Sequence, residues 1–221
     1  MTRSRTSNGW LREHFSDEYV QRAWKEGYRS RAVYKLKEID HQDRLFRVGQ
    51  AVIDLGAAPG GWCQYAREKV GSSGRVVGMD LLPIEPLAGA EFLQGDFTEL
   101  ESLTRLTDHL AGRRPDLVIS DMAPNITGIA PSDQARAVYL AELALEFAVT
   151  HLEPEGACLV KTFQGSGFPE LLRWLRDHFR TTGVRKPGAS RARSAEVYLF
   201  GRGLRSPSGH VVSTAQSAQN A

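Results

Sequence analysis

Five times along this chain a short apolar run stops at an acidic, glycine-containing or basic turn and gives way to a segment of helical spacing. Runs such as Ala51–Leu55 (AVIDL), Arg75–Asp80 (RVVGMD) and Asp116–Asp121 (DLVISD) are apolar on both faces, so each needs cover on both sides. Strands of that kind joined through helices become parallel neighbours in a sheet with helices packed above and below. The expected fold is therefore α/β, a three-layer sandwich around a mainly parallel sheet.

The remaining elements follow from the same periodicities. Helices are expected over Asp17–Gly27 and over Ser30–Asp40, where Ser30 is a plausible N-cap and Ala32, Leu36 and Ile39 share a face. Others are expected near residues 61–70, 98–111, 133–152 and 169–179. In the long one, Val138, Leu145 and Val149 form an apolar ridge that Pro154 and Gly156 punctuate. Further strands are expected at Glu91–Gln94 and over the run ACLVKTF. Two late ones, Thr182–Lys186 and Glu196–Phe200, would form an antiparallel pair at one edge and bring the sheet to seven strands. From Ser206 onward the chain is small, polar and almost uncharged, the composition of a disordered tail.

Several classes are disfavoured. No apolar run approaches the roughly 18 residues of a spanning helix, so no membrane partner is expected. The Arg- and Ser-rich start lacks the apolar stretch of a secretory signal. The two cysteines, Cys63 and Cys158, have no metal-ligand spacing, and the six histidines are scattered, so no metal site is expected. Reduced thiols fit a cytoplasmic protein. Charge is distributed unevenly. Residues 1–37 carry nine Lys/Arg against four Asp/Glu and residues 173–205 nine against two, while the stretch between carries ten against twenty. Basic ends around an acidic middle suit a polyanion held by the termini, although solvated helix faces give the same pattern.

The first strand runs into Asp54-Leu55-Gly56-Ala57-Ala58-Pro59-Gly60-Gly61-Trp62. Glycines at this turn let backbone pass close beneath a ligand. The spacing is neither G-x-G-x-x-G nor a P-loop, and Pro59 removes a donor of the kind that cradles a pyrophosphate. This disfavours a nicotinamide dehydrogenase. A ligand with a zwitterionic amino-acid end and a sulfonium, adenosylmethionine, fits such a turn better. Asp80 closes the second strand, where a carboxylate can hold ribose hydroxyls. Asp96 follows the third, within reach of an adenine amino group. The fourth strand ends in Ser120-Asp121-Met122-Ala123-Pro124-Asn125, without the aromatic residue that stacks on a flipped base in amino-group methyltransferases. Lys161 ends the fifth strand, Glu196 opens the last one, and Lys35 lies among Arg29, Arg31 and Lys37.

The runs SRAVYKLKEID, VIDLGAAPGGWCQY, DLLPIEPLAG, FLQGDF, ISDMAPN, VKTFQG and RKPGASRARSAEVY together resemble the FtsJ-type ribosomal RNA ribose 2′-O-methyltransferases, over roughly Trp10 to Gly201. The resemblance implies a Rossmann-like class I fold and S-adenosyl-L-methionine as cofactor. It implies a Lys-Asp-Lys-Glu tetrad at Lys35, Asp121, Lys161 and Glu196, and cofactor contacts at Gly60, Trp62, Asp80, Asp96 and Asp121. It also implies a basic, RNA-facing helical extension over residues 1–45, a methyltransferase domain over 46–203 and a tail over 204–221. The implied substrate is a uridine ribose of large-subunit rRNA in the assembled large ribosomal subunit, and the enzyme is expected to act as a monomer. The same chemistry on tRNA or another RNA, and a catalytically silent RNA-binding protein on this scaffold, remain alternatives on sequence grounds.

Overall fold

A computed structural model describes residues 17–191 and 193–205. Of the tail expected over 204–221, Leu204 instead closes the last strand of the sheet, where it pairs with Phe179; the residues from Ser206 lie outside the described residues, as does the first part of the N-terminal extension.

Helix α1 (Glu18–Glu26) starts where the Asp17 carboxylate accepts from the Tyr19 amide at 3.0 Å, and it ends at Gly27 in the left-handed conformation. Helix α2 spans Val33–Asp43, three residues later than expected at each end. The Ser30 hydroxyl accepts from the Ala32 amide at 3.0 Å, so it closes a turn ahead of the helix instead of capping it. At the other end His41, Gln42 and Asp43 face outward or are partly covered, and their polarity left no periodic mark in the sequence.

The α/β portion follows as β1 (Ala51–Leu55), α3 (Gly61–Val70), β2 (Arg75–Asp80), β3 (Ala90–Gln94), α4 (Leu100–His109), β4 (Leu117–Ser120), α5 (Ala130–His151), β5 (Ala157–Phe163), α6 (Phe168–His178), β6 (Phe179–Arg185) and β7 (Glu196–Leu204). Helix α5 begins before Asp133, because that carboxylate reaches back to the amides of Thr127 and Gly128 and organises the preceding loop. Strand β6 starts as soon as α6 ends, three residues earlier than expected. Strand β7 runs past two glycines because β5 pairs with it on one side and β6 on the other, up to Phe179 opposite Leu204.

The seven strands form one sheet in the order β3-β2-β1-β4-β5-β7-β6. β1 pairs in parallel with both β2 and β4, and β7 alone runs antiparallel to its two neighbours. Strand residues alternate between two buried layers, as the two-residue side-chain period of a strand requires. Val52, Leu117, Leu159, Tyr198 and Phe200 pack towards α2 and α3. Ile53, Val77, Val118, Val160 and Leu199 pack towards α4, α5 and α6. Among the described residues, no helix is long and apolar enough to cross a membrane.

Val33, Leu36 and Ile39 of α2 belong to the same buried layer as Val52 and Leu117, so this helix is part of the wall of the sheet. Leu36 is completely buried. Leu36→Ala should lower the stability of the whole unit by about 2–5 kcal/mol, the usual range for emptying a core leucine site. Denaturant unfolding should stay a single transition with a lower midpoint. Separate melting of the N-terminal helices would show that α2 is only an appendage.

Candidate active site

Chain order in the sheet reverses between β1 and β4, and at such a switch point the loops beyond the strand ends part to leave a crevice. A cleft of about 220 Å³ opens there, with Gly56, Ala58, Asp80, Asp96, Asp121 and Met122 in its wall. Gly56, at φ +77°, is required by close approach: a Cβ there would stand 2.7 Å from Met122 Cγ and 3.0 Å from its backbone nitrogen. The Asp80 carboxylate spans the two loops above it, accepting from the Ala58 amide through Oδ2 and from the Leu82 amide through Oδ1, both at 2.9 Å. Asp96 Oδ1 accepts from the backbone and hydroxyl of Thr98 at 2.8 and 2.7 Å. The cleft wall carries three carboxylates and no lysine or arginine. Such a lining repels phosphates and suits a ligand bearing positive charge and hydroxyl groups, so the residues present fit adenosylmethionine.

Beside the cleft α3 begins at Gly60. Its first intrahelical bond runs from the Gln64 amide to the Gly60 carbonyl at 2.9 Å, which leaves the amides of Gly61, Trp62 and Cys63 without acceptors inside the helix. The Trp62 side chain faces away from the cleft. Its ring is buried 5.8 Å from that of Tyr198, and Nε1 donates to the Ala32 carbonyl at 2.8 Å. Of the five residues expected to hold cofactor, Asp80, Asp96 and Asp121 line the cleft. Gly60 and Trp62 stand at the helix start, where their main chain is what they offer.

Next to Asp121 the structure brings together all four expected tetrad residues. Lys161, on β5, lies directly opposite Tyr198 in the antiparallel pairing with β7, and Glu196 sits two residues from Tyr198 on the same face. Lys161 Nζ is 3.2 Å from Asp121 Oδ1 and 3.2 Å from Glu196 Oε2. Lys35 Nζ, reaching in from α2, is 2.8 Å from the Glu196 carboxylate. The side chains of Lys161 and Glu196 are only 9% and 8% exposed.

Burial alone would push the Lys161 pKa down, but the charges of Asp121 and Glu196, with their hydrogen bonds, outweigh it and leave the ammonium form favoured. Burial opposes ionisation of Glu196 too, yet Lys161 and Lys35 bring its pKa down to about 2. Asp54, beneath the loop, has no such help. Burial, and behind it the charges of Asp121 and Asp80, push it up to about 7 against the lowering effect of the thiol of Cys63, which donates to it at 3.1 Å.

Two members of this cluster escaped the sequence reading. The Tyr198 hydroxyl donates to Asp121 Oδ1 at 2.7 Å, and the Ser190 hydroxyl donates to Glu196 Oε1 at 2.7 Å. Tyr198 could have been found, because i and i+2 on a strand share a face with Glu196. Ser190 lies in the turn between β6 and β7 and carried no periodic signal. Basic residues of the N-terminal segment other than Lys35 are also engaged within the protein. Arg31 pairs with Asp17 at 3.1 Å and donates to the Ala189 carbonyl, and Lys37 pairs with Glu26 at 3.2 Å and lies 4.1 Å from the centre of the Tyr28 ring. Among the described residues, no group of three or more His, Cys, Asp or Glu side chains could hold a metal ion.

The sequence profile of the FtsJ-like methyltransferase family matches residues 28–204. The chain is 58% identical over 205 residues to a protein of Azoarcus sp. strain BH72 named ribosomal RNA large subunit methyltransferase E, covering 93% of this chain and all of that one. A relative of the same name from Dechloromonas aromatica is 55% identical with the same coverage, and one from Burkholderia mallei is 49% identical over 219 residues, covering 94% of this chain and all of its own length. Among solved structures, a crystal structure described as a ribosomal RNA methyltransferase from Plasmodium falciparum superposes with a TM-score of 0.71 at 26% identity, over 80% of this chain and 98% of that one.

The position of Asp80 gives a direct test of the cleft. Asp80→Asn keeps the size of the side chain but removes its charge and one acceptor, so it should weaken adenosylmethionine binding. Loss of a charge-assisted hydrogen-bond pair costs on the order of 1.5–3 kcal/mol, or about 10- to 150-fold in affinity. Calorimetry should show that loss while the thermal midpoint stays within a few degrees of wild type. Equal affinities would remove Asp80 from the binding site.

Proposed function

The chain belongs to the FtsJ-like methyltransferase family, and on that basis we propose that it methylates the ribose 2′-hydroxyl of a uridine in large-subunit rRNA, with S-adenosyl-L-methionine as donor. The observation that carries the reading is Asp121, which forms part of the cofactor cleft with one side and holds Lys161 with the other. A hydroxyl brought to Lys161 therefore stands at the edge of the cleft.

When bound, the cofactor supplies a methyl group already made electrophilic by its sulfonium. The protein has to align the hydroxyl and remove its proton as the new bond forms. Lys161 is the group for both tasks. At rest it is an ammonium, clamped by Asp121 and Glu196, and in that form it donates to the 2′-oxygen and fixes its position. Positive charge beside it in the cleft would lower its pKa, because like charges disfavour one another, and the ammonium would then give up a proton to solvent. The neutral amine then takes the proton. Lys35 holds Glu196 from the far side, so the carboxylate keeps its orientation when the Lys161 charge is lost. Tyr198 and Ser190 do the same for Asp121 and Glu196 by hydrogen bonds.

The substrate is the rRNA of the large subunit, which we propose is presented in the assembled particle and gripped by the basic segments at either end of the chain. The enzyme acts as a monomer in the bacterial cytoplasm in this reading. Incubating the protein with labelled adenosylmethionine and large subunits from cells that lack it should place label on a single 2′-O-methyluridine, mapped by mass spectrometry. Label on tRNA instead, or binding without transfer, would refute the assignment.

Lys161 separates the two tasks experimentally. Lys161→Ala should cut single-turnover methylation by at least about 100-fold, the usual scale for losing a general base, with cofactor affinity nearly unchanged. Arginine keeps the charge but cannot deprotonate, so Lys161→Arg should be almost as inactive. In the wild type the rate should climb with pH through one ionisation. Single-turnover rates report the loaded complex, so the midpoint of this climb should lie below the Lys161 pKa of the free enzyme, which Asp121 and Glu196 hold above the usual lysine value. A flat profile together with an active arginine variant would mean that Lys161 works only as a fixed charge.

A further inference from the structure

Arg29 lies in the basic N-terminal stretch that the sequence assigns to RNA, yet its partly exposed guanidinium is bound to backbone carbonyls of the protein. Nη1 donates to the Pro59 carbonyl at 3.2 Å and to the Glu85 carbonyl at 2.6 Å, and Nη2 donates to the Pro86 carbonyl at 2.8 Å. Pro59 belongs to the turn between β1 and α3. Glu85 and Pro86 belong to the segment that follows Asp80. Gly56 and Ala58 of that turn, and Asp80 and Leu81 ahead of that segment, line the cleft, and Arg29 bridges turn and segment farther along the chain.

The surroundings are shaped to hold this side chain. A Cβ on Gly60 would stand 2.8 Å from Arg29 Nη1, so the missing side chain at Gly60 makes room for the guanidinium. The Arg29 amide donates to Gln64 Oε1 at 2.8 Å, and Gln64 Nε2 returns a bond to the Gly27 carbonyl at 3.1 Å. Trp62 Nε1 to the Ala32 carbonyl fastens the same stretch two residues earlier on α3. On the opposite side Ile84 and Leu87, which flank Glu85 and Pro86, pack against the buried layer, and Gln94 Nε2 donates to the Leu81 carbonyl at 3.0 Å. Among the described residues, Glu85 and Pro86 make no hydrogen bond other than those to Arg29. Leu81 and Leu82, at the head of that segment, are exposed.

We propose that Arg29 is a positioning residue of the cofactor site: by tying Pro59 to Glu85 and Pro86 it sets the distance between the first-turn amides of α3 and the Asp80 carboxylate. This corrects, for Arg29, the expectation that the N-terminal basic residues serve RNA, and it rests on the reading of the cleft as the adenosylmethionine site. A planar fork with five donors is what the task requires, because carbonyls from two separate loops must be held at fixed angles. A lysine keeps the charge but has one nitrogen and no fork.

The test compares wild type, Arg29→Ala and Arg29→Lys in the full chain. Calorimetry reads adenosylmethionine affinity, steady-state kinetics separate KM from kcat, and a salt series reads RNA affinity. Both variants should bind adenosylmethionine about tenfold more weakly, the scale of one lost charge-assisted bond, with KM for the cofactor raised to match. At saturating cofactor kcat should stay within about twofold of wild type, a split that general loss of folded protein does not produce. RNA affinity and its salt dependence should match wild type. If Arg29→Ala does not fold, Arg29→Lys carries the test alone. Wild-type cofactor affinity in Arg29→Lys would overturn the proposal. So would weaker RNA binding with a log–log salt slope reduced by roughly 0.7–0.9, the mark of one lost phosphate contact. A wild-type protein that binds no adenosylmethionine would overturn the cleft assignment and this proposal with it, whereas normal wild-type binding with unchanged variants would overturn the proposal only.

Discussion

A lysine near the end of a central strand cannot stay charged in the core of a protein without partners, since burial of an isolated ammonium costs several kcal/mol even after relaxation. Lys161 is such a residue, and much of the arrangement around it follows from that demand. Its two carboxylates come from the strands on either side. Asp121 stands just beyond β4, the parallel neighbour, at the end of the sheet where the cleft opens. Glu196 is the first residue of β7, and it reaches the same end only because β7 runs antiparallel to β5. A parallel seventh strand would deliver its last residue there instead. The one strand that breaks the parallel pattern thus supplies a charge the site requires.

Glu196 in turn faces two cations, and the second fixes the place of the N-terminal helices. Lys35 reaches Glu196 only if α2 lies against the β7 side of the sheet, and several contacts hold it there. Glu38, one turn after Lys35, accepts from the amides of Gly188 and Ala189 at 2.6 and 3.0 Å. Arg185 forms a paired contact with Asp43 at the end of the same helix, and Arg31, just ahead of that helix, donates to the Ala189 carbonyl at 2.6 Å. Part of the positive charge at the two ends of the sequence is therefore used to fasten those ends to each other. The asymmetry that suggested a bound polyanion has a second, internal explanation, and the two apply to different side chains.

The distinction shows what a sequence can and cannot reveal here. Strand ends were legible because an apolar run must stop where the chain leaves the sheet, and the residue at that stop faces the ligand side. Asp80, Asp96, Asp121 and Lys161 were found by this rule, Glu196 by its mirror image at the start of an antiparallel strand, and their grouping by resemblance. Side-chain direction around a helix start was not legible. Trp62 and Gly60 sit in the motif beside the cleft, but one turns its ring into the core and the other leaves space for Arg29. Nor could Arg29, Arg31 and Lys37 be sorted by sequence, since an arginine that donates to carbonyls and one that waits for a phosphate look the same until the acceptors are placed. The late start of α2 has a similar cause: a serine can close a turn or cap a helix with the same hydroxyl.

Asp121 joins the two halves of the site, and its double duty explains why the charges are arranged as they are. Lys35 and Lys161 are matched by Glu196 and Asp121, so the tetrad is close to neutral. The cleft beyond it is anionic through Asp80 and Asp96. A cationic ligand entering the cleft is drawn by that excess, and it competes with Lys161 for the field of Asp121. A carboxylate shared with a second cation would hold the Lys161 charge less strongly from that side. Glu196, with Lys35 and Ser190 already on it, stays ionised throughout. A cation bound there would weaken the hold of Asp121 on the Lys161 proton, next to the position where, in the proposed reaction, the hydroxyl would lose its own. An uncharged ligand in the same cleft would leave Asp121 to Lys161 and the Tyr198 hydroxyl, which would tie the readiness of the base to the presence of a methyl group to transfer.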